Sequence, residues 1–504
     1  MRSHDIVLRM LAAMAAIITC MSILFMVFHL DIADGFSIAP PPERPFHEQH
    51  APATHDDDYR KHNEEGHHRG PHGVNRDYKV LLSSRNSLGF YNKIDVRRTG
   101  YQIMNPTLLE LPRNSNHSAD FLIIARATPH IGKEISGTKY LLSRQVATFA
   151  NLTYNNLGRP ILQAGDKWSK LLLEDFTEAV GPEHHCKHQP RMDRYIGPED
   201  MKLFWTRKGE PLLIFTNQVN DENLCQGQFV VDVRAALPEL ETALGDDYSQ
   251  KLPPVRFYEP TGLRRQAPPG QESHARYQRE KNWAPAQSPF GDDNELLFMV
   301  EPGQLFRWIS SNSPVEEVVS AESAVEAPYP PNTEPSATWH SQHITCIHDV
   351  TLTDSNVHQS TPMLSLTLCG RGICEPDEQN TVMLGIVQRR HDRPSSPFTW
   401  YDRRIAVYSA AAPYNMLSVS KRFTYHGEVD GKYIWTGSMV YFTNGTQFPP
   451  RNHGYLDDDI WLSFGIEDSA AGWIDIKASD LIADHYLCQG ASQEYRQHTQ
   501  NIIV

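Results

Sequence analysis

Apolar residues in this 504-residue chain come in short bursts, not at helical spacing. The clearest are FLIIA (121–125), PLLIF (211–215), FVVDV (229–233), ELLFMV (295–300), VMLGIV (382–387), RIAVY (404–408), IWTGSMVYF (434–442) and IWLSF (460–464). Each is rich in β-branched or aromatic residues and is bounded by turn formers, which predicts strands. Helical periodicity is scarce, and Tyr140 to Ala150 and Pro238 to Leu244 are the best short helix candidates. Strand meanders repeated over about 400 residues predict one all-β head in which sheet edges are managed by radial repetition, as in a β-propeller.

One apolar run is different. Met10–Phe28 contains no charge, follows Arg2 and Arg9, and precedes His29, Asp31 and Asp34. Its length and flanks predict a signal-anchor with the N-terminus in the cytosol; a cleaved signal peptide is the alternative. Residues 29–95 are rich in Pro, His and charge and poor in aliphatics, which predicts a flexible stem. The expected organisation is therefore a tail (1–9), an anchor (10–28), a stem (29–95) and a β head (96–504), with surface insertions at 309–338 and 259–275.

Composition adds a compartment and excludes a partner. Six cysteines lie beyond the apolar run, at Cys186, Cys225, Cys346, Cys369, Cys374 and Cys488. In an oxidising lumen they could form three bridges, with Cys186–Cys225 favoured by proximity, or remain as buried thiols. Sequons at Asn116, Asn151 and Asn444 predict glycosylated surface loops. The net charge of -14 argues against nucleic acid. No CxxC pair, P-loop or dinucleotide fingerprint occurs, so no metal and no firm cofactor is expected. His184, His185 and His188 beside Cys186 read as loop histidines.

The chemistry-bearing candidates begin with Glu199-Asp200, two acids between a Gly197-Pro198 turn and an apolar run. A carboxyl there could donate a proton to a glycosidic oxygen, or could simply cap the turn. Arg126 and Lys281 could hold sugar hydroxyls or a diphosphate, or bridge neighbouring sheets. Trp283 could stack on a sugar ring or fill the core. Asp458 and Asp459, in a run of three Asp, could bind a sugar or form a solvated acidic turn.

These motifs, in this order, resemble the five-bladed propellers of glycoside hydrolase family 130, which includes β-mannoside phosphorylases, and the related β-1,2-mannosyltransferases. Asn105-Pro106-Thr107 followed by FLIIAR to Arg126 resembles the first blade. Gly197-Pro-Glu199-Asp200 resembles the Glu-Asp-Pro-Arg turn whose Asp is the family's proposed general acid. Lys281-Asn282-Trp283 matches a cavity-lining segment, Arg371-Gly372 an Arg-Gly-Gly turn, and Asp458-Asp459 with Gly465 and Asp468 the last blade. Met201-Lys202 stands where Pro-Arg is usual and Gln388 where phosphorylases often carry His, which puts phosphorolysis in doubt and leaves sugar transfer open.

The resemblance implies a five-bladed β-propeller, which the Met10–Phe28 run would place as an ectodomain behind a single N-terminal transmembrane helix. It implies an inverting mannosyltransferase, read from the anchor as a type II protein of the Golgi or endoplasmic reticulum membrane with a luminal catalytic domain. GDP-mannose would be a possible nucleotide-sugar donor and a glycan or glycolipid the acceptor. Asp200 would be the ionisable catalyst, tuned by Glu199, with Asn105, Arg126, Lys281, Asn282, Trp283, Arg371, Asp458 and Asp459 binding substrate. The rival readings are a mannoside hydrolase or phosphorylase, and a membrane-anchored glycan-binding propeller without turnover.

Overall fold

The computed structural model of the chain describes residues 78–96, 102–113, 119–135, 137–173, 195–219, 225–264, 280–308, 316–319, 357–392, 399–429, 432–446, 452–488 and 491–499. These residues are mostly β. Strands β1 (Tyr78–Leu81) and β2 (Asn92–Asp95) come first. A meander follows, with β3 (Gln102–Glu110), β4 (Phe121–Ile135), β5 (Thr138–Tyr154) and β6 (Pro160–Ala164). The short β7 (Ser169–Lys170) and β8 (Tyr195–Ile196) flank β5. A four-stranded sheet is built from β9 (Glu199–Trp205), β10 (Pro211–Gln218), β11 (Gln226–Asp232) and β12 (Thr261–Leu263). Another contains β13 (Ala284–Ala286), β14 (Leu296–Glu301), β15 (Gln304–Trp308) and β16 (Glu316–Val319).

The next sheet gathers β17 (Val357–Gln359), β18 (Leu364–Thr367), β19 (Thr381–Asp392), β20 (Thr399–Ser409) and β21 (Met416–Ser420), while β22 (Arg422–Tyr425) runs parallel to β1. The last meander is β23 (Ile434–Phe442), β25 (Asp459–Ile466) and β26 (Ala470–Lys477); between the first two, β24 (His453–Tyr455) joins β18. β27 (His485–Leu487) adds to β21. β2 pairs antiparallel with β26 and parallel with β6, so the last meander and the first share one sheet.

The opening strands β3, β9 and β23 pack against one another. Their inner edges have no strand partner, so side chains satisfy the backbone there. Thr107 Oγ1 accepts from Leu203 N at 3.0 Å and Ser438 Oγ from Leu108 N at 3.0 Å. Ser463 Oγ donates to Pro106 O at 2.8 Å. Apolar layers fill the space between sheets. Leu122, Ile124, Leu203, Trp205, Leu213 and Phe215 share one cluster, and each is essentially removed from water. Burying such a side chain contributes about 1.5–3 kcal/mol.

Each predicted apolar burst is a strand, and Glu239–Leu244 is a helix as expected. Tyr140–Ala150 is not helical. It lies inside β5, where pairing with β4 overrides its Leu, Gln and Ala content. Strands β1 and β2 fall inside the stretch read as a stem, so ordered structure starts well before residue 96. β12 and β16 likewise use residues expected to be insertions.

The expected localisation is corrected. Among the described residues no helix is long and apolar enough to cross a membrane. The single-pass type II placement in the Golgi or endoplasmic reticulum membrane, and the membrane as a partner, are therefore withdrawn. The Met10–Phe28 run lies outside the described residues. Cys369 and Cys374 form a disulfide; Cys225 and Cys488 are also disulfide-bonded, and Cys186 and Cys346 lie outside the described residues.

Candidate functional site

Three opening segments carry the same local irregularity. Asn105 in β3, Asp200 in β9 and Asn282 just before β13 each have a left-handed backbone, with φ of 48°, 51° and 62°. Asx side chains tolerate this region better than most. In β3 the register slips between Met104 and Thr107, and in β9 the ladder slips opposite Ile214–Thr216, leaving Asp200 and Met201 facing Phe215 alone. β23 is also bulged, between Thr436 and Ser438. A bulge bends its strand and re-aims one side chain.

Upstream of Asp200 the Gly-Pro turn is fixed from outside. Gly197 has φ 92°, and a Cβ there would sit 2.6 Å from Ser143 O, so only glycine fits. Gly197 N donates to Gln218 Oε1 at 3.2 Å, and Gln145 Nε2 donates to Pro198 O at 2.8 Å. The residue before Lys281 is tied to the sheet that carries Asp200: Glu280 N donates to Gln226 O and Gln228 Nε2 to Glu280 O at 3.0 Å, with Gln226 and Gln228 both on β11.

The two adjacent acids then part ways. Glu199 is buried and accepts from the Arg126 guanidinium through Oε1 and from Lys281 Nζ, at 2.9 Å, through Oε2. Arg126 Nε donates to Ser143 Oγ at 2.8 Å. Asp200 has Lys281 Nζ 3.6 Å from Oδ2, and its side chain keeps 17% of its exposure. Glu199 therefore holds two cations, one of which, Lys281, also reaches Asp200.

Two residues complete the surroundings of Asp200. Lys202 is buried; burial pulls its ammonium down to about 8, with Asp200 opposing and Lys281 adding to the drop. His358, on β17, is lowered to about 4 by burial, with Asp200 opposing and Lys281, Arg390 and Lys202 reinforcing. Its imidazole is neutral near pH 7 and offers hydrogen bonds, not charge. Asn105 Oδ1 and Asn282 Oδ1 are buried without a hydrogen-bond partner among the described residues. The structure thus gathers Glu199, Asp200, Arg126 and Lys281 directly, with Lys202 and His358 bearing on them electrostatically.

Other candidates lie elsewhere. Trp283 is fully buried, stacks on Phe306 at 5.8 Å and donates Nε1 to Glu280 Oε2 at 3.1 Å; it is core. Asp459 pairs with Phe442 at the trailing end of β23. Seven residues separate Phe442 from Trp435, which packs on His358; at ~3.3 Å per residue that is about 23 Å. Arg371 chelates Asp458, at 3.3 and 2.6 Å, and Asp459 lies between Arg85 at 2.8 Å and Lys477 at 2.6 Å. These groups line a separate cavity of about 790 Å³.

Of the sequon residues, Asn444 sits in an exposed turn with Arg113 donating to its Oδ1. Asn151 is part of strand β5, not of a loop, and its Oδ1 is buried. Asn116 and the histidines around Cys186 lie outside the described residues. Gln388 is a staple: its amide bonds both ways to the Thr436 backbone, at 3.1 Å each. His358 stands directly opposite it across the β17–β19 ladder. Nothing around His358 in sequence marks it, because the partner that brings it to the site is thirty residues away.

No protein-family model matches the chain, and no curated protein matches it. Solved structures that resemble it include a mannose phosphorylase from Leishmania mexicana in complex with phosphate, 11% identical with a TM-score of 0.33, covering 80% of this chain and 89% of that one. A GDP-Man-dependent mannosyltransferase from the same organism is 10% identical with a TM-score of 0.32, covering 77% and 89%. An α-L-arabinofuranosidase from Podospora anserina in complex with cellotriose is 10% identical with a TM-score of 0.31, covering 82% and 99%. All three act on or transfer sugars, at a level of likeness that does not decide the chemistry of this chain.

Proposed function

We propose that the chain is a carbohydrate-active enzyme with a five-bladed β-propeller head (78 onward), an inverting glycosyltransferase that moves mannose from a nucleotide sugar such as GDP-mannose to a glycan or glycolipid. The observation that carries this reading is Asp200: a partly shielded carboxylate on a left-handed bulge, beside one cation at 3.6 Å, while its neighbour Glu199 is fully engaged. In the transfer, Asp200 takes the proton of the acceptor hydroxyl as that oxygen bonds the anomeric carbon, and the bond from that carbon to the diphosphate oxygen breaks on the opposite face. Lys281 and Lys202 favour the charge that gathers on the diphosphate. Arg126 and Glu199 hold Lys281 in place, and Asn105 and Asn282 offer sugar-hydroxyl partners.

A second reading, phosphorolysis of a mannoside, has one specific observation in its favour. Lys281, Lys202 and Arg390 all bear electrostatically on His358, which stands across the β17–β19 ladder from Gln388. Incubating the protein with nucleotide sugars and manno-oligosaccharides, with and without inorganic phosphate, separates the two. Nucleoside diphosphate release that requires Asp200 supports transfer; sugar phosphate formed only with phosphate supports the second reading; inertness towards both donor classes defeats both.

A further inference from the structure

Beyond His358, whose imidazole feels the charge of Asp200, lies an aromatic row that the reading above leaves without a role. On β19, Gln388 and Arg390 are two residues apart and share a face. His358 lies opposite Gln388 and Tyr401 opposite Arg390, so His358, Arg390 and Tyr401 share that face. The face meets the leading end of β23, where Gln388 is bonded to Thr436. Trp435, the preceding residue, sets its ring edge-to-face with His358 at 6.0 Å and with Tyr401 at 5.0 Å. Tyr401 meets Tyr433 at 6.1 Å in the same manner.

The row rises outward from the site. Trp435 is 9% exposed, whereas Tyr401 and Tyr433 are half-buried. None of the three belongs to a hydrophobic cluster of the interior. The Tyr433 hydroxyl lies under the influence of the Asp468 carboxylate, in the turn between β25 and β26. Centroid steps of 5.0 to 6.1 Å are those of ordinary edge-to-face aromatic packing, and the ring area that Tyr401 and Tyr433 leave uncovered is the kind of surface on which the apolar face of a sugar ring packs. Arg390 and Asp468 border the row with groups that bind hydroxyls.

We propose that Trp435, Tyr401 and Tyr433 form a binding site for the second and later sugar units of an extended glycan, so that the chain favours oligosaccharides over single sugars. The proposal rests on the Asp200 reading for the place of the first sugar, but its test does not require turnover. The full chain carrying Asp200→Asn is titrated, by calorimetry, with mannose, mannobiose, mannotriose and mannotetraose, and with cello-oligosaccharides of the same lengths. Affinity rises about tenfold or more from one unit to three in one series. Adding Tyr401→Ala removes the rise and leaves the single-sugar affinity within about twofold. Trp435→Leu has the same effect; Tyr401, nearer the surface, keeps the test intact if the Trp435 variant does not fold. A flat affinity across lengths, or a rise that survives both substitutions, overturns the proposal. If Asp200→Asn retains full turnover while the length-dependent rise is lost in Tyr401→Ala, the aromatic site stands and only the catalytic assignment falls.

Discussion

Two runs of neighbouring acids, Glu199-Asp200 and Asp457-Asp458-Asp459, are hard to tell apart as text. In the folded chain they occupy opposite ends of the strands and have opposite fates. In the second run Asp458 accepts from Tyr455 N and is chelated by Arg371, Asp457 accepts from Arg371 N, and Asp459 is clasped by two cations. In the first run Glu199 takes both close cations and Asp200 is left with a longer contact on a bent backbone. A carboxylate engaged on every side is a strut; one held in place but incompletely paired leaves lone pairs within reach of a substrate hydroxyl. The distinction depends on what comes from distant parts of the chain, not on the acids themselves.

The sharpest way to break this contrast is Asp200→Asn. Turnover should fall by about 10²–10⁴, the usual contribution of a positioned acid or base, with the melting temperature nearly unchanged. An active variant would mean that Asp200 is as structural as Asp458. Glu110 tests the strut idea under pH control. It is buried at the trailing end of β3 and accepts from Thr443 N at 2.7 Å and Gly445 N at 2.9 Å. Burial raises it to about 7, against the pull of those donors. Its folded value lies above its unfolded one, so its contribution is present at low pH and is lost as pH rises from about 4.5 to 7. Denaturant unfolding at several pH values should show this loss, on the order of 3 kcal/mol, and Glu110→Gln should flatten it.

Asp459→Asn should cost about 1–3 kcal/mol through its two ion pairs and leave turnover intact, read by thermal melts beside an activity assay. Lost activity at native stability would move the chemistry to the far cavity. The smallest effect concerns Lys202. As its ammonium loses a proton above about 8, activity should decline along an alkaline limb. Lys202→Arg should shift that limb upward, with less than about a tenfold change at neutral pH. A limb that stays in place would detach Lys202 from Asp200.

Much of the scaffold was legible because short β-branched and aromatic bursts have few alternatives to pairing as strands. FLIIA and IWLSF could hardly be anything else. Tyr140–Ala150 was misjudged because its local preferences are genuine and only the long β4 ladder overrules them. At the site, Glu199, Asp200, Arg126 and Lys281 were visible as motif residues. Lys202 was visible only as a departure from that motif, and His358 and Trp435 were not visible at all, since nothing local marks a histidine in a three-residue strand or a Trp in an apolar run. Trp283 misled in the other direction: a tryptophan beside Lys281 looks like a sugar platform until Phe306 is found stacked on it.

The placement of β2 has a practical consequence. It joins β26 to β6 the way a buckle joins two ends of a belt, with Asn92 beside Trp473 and Ile94 beside Leu162. A recombinant fragment started at residue 96, as composition alone would advise, would leave both ends unfastened and expose two bare strand edges to other copies. Expression should therefore start before Tyr78, and any tag placed between there and Asp95 would be expected to part the last meander from the first.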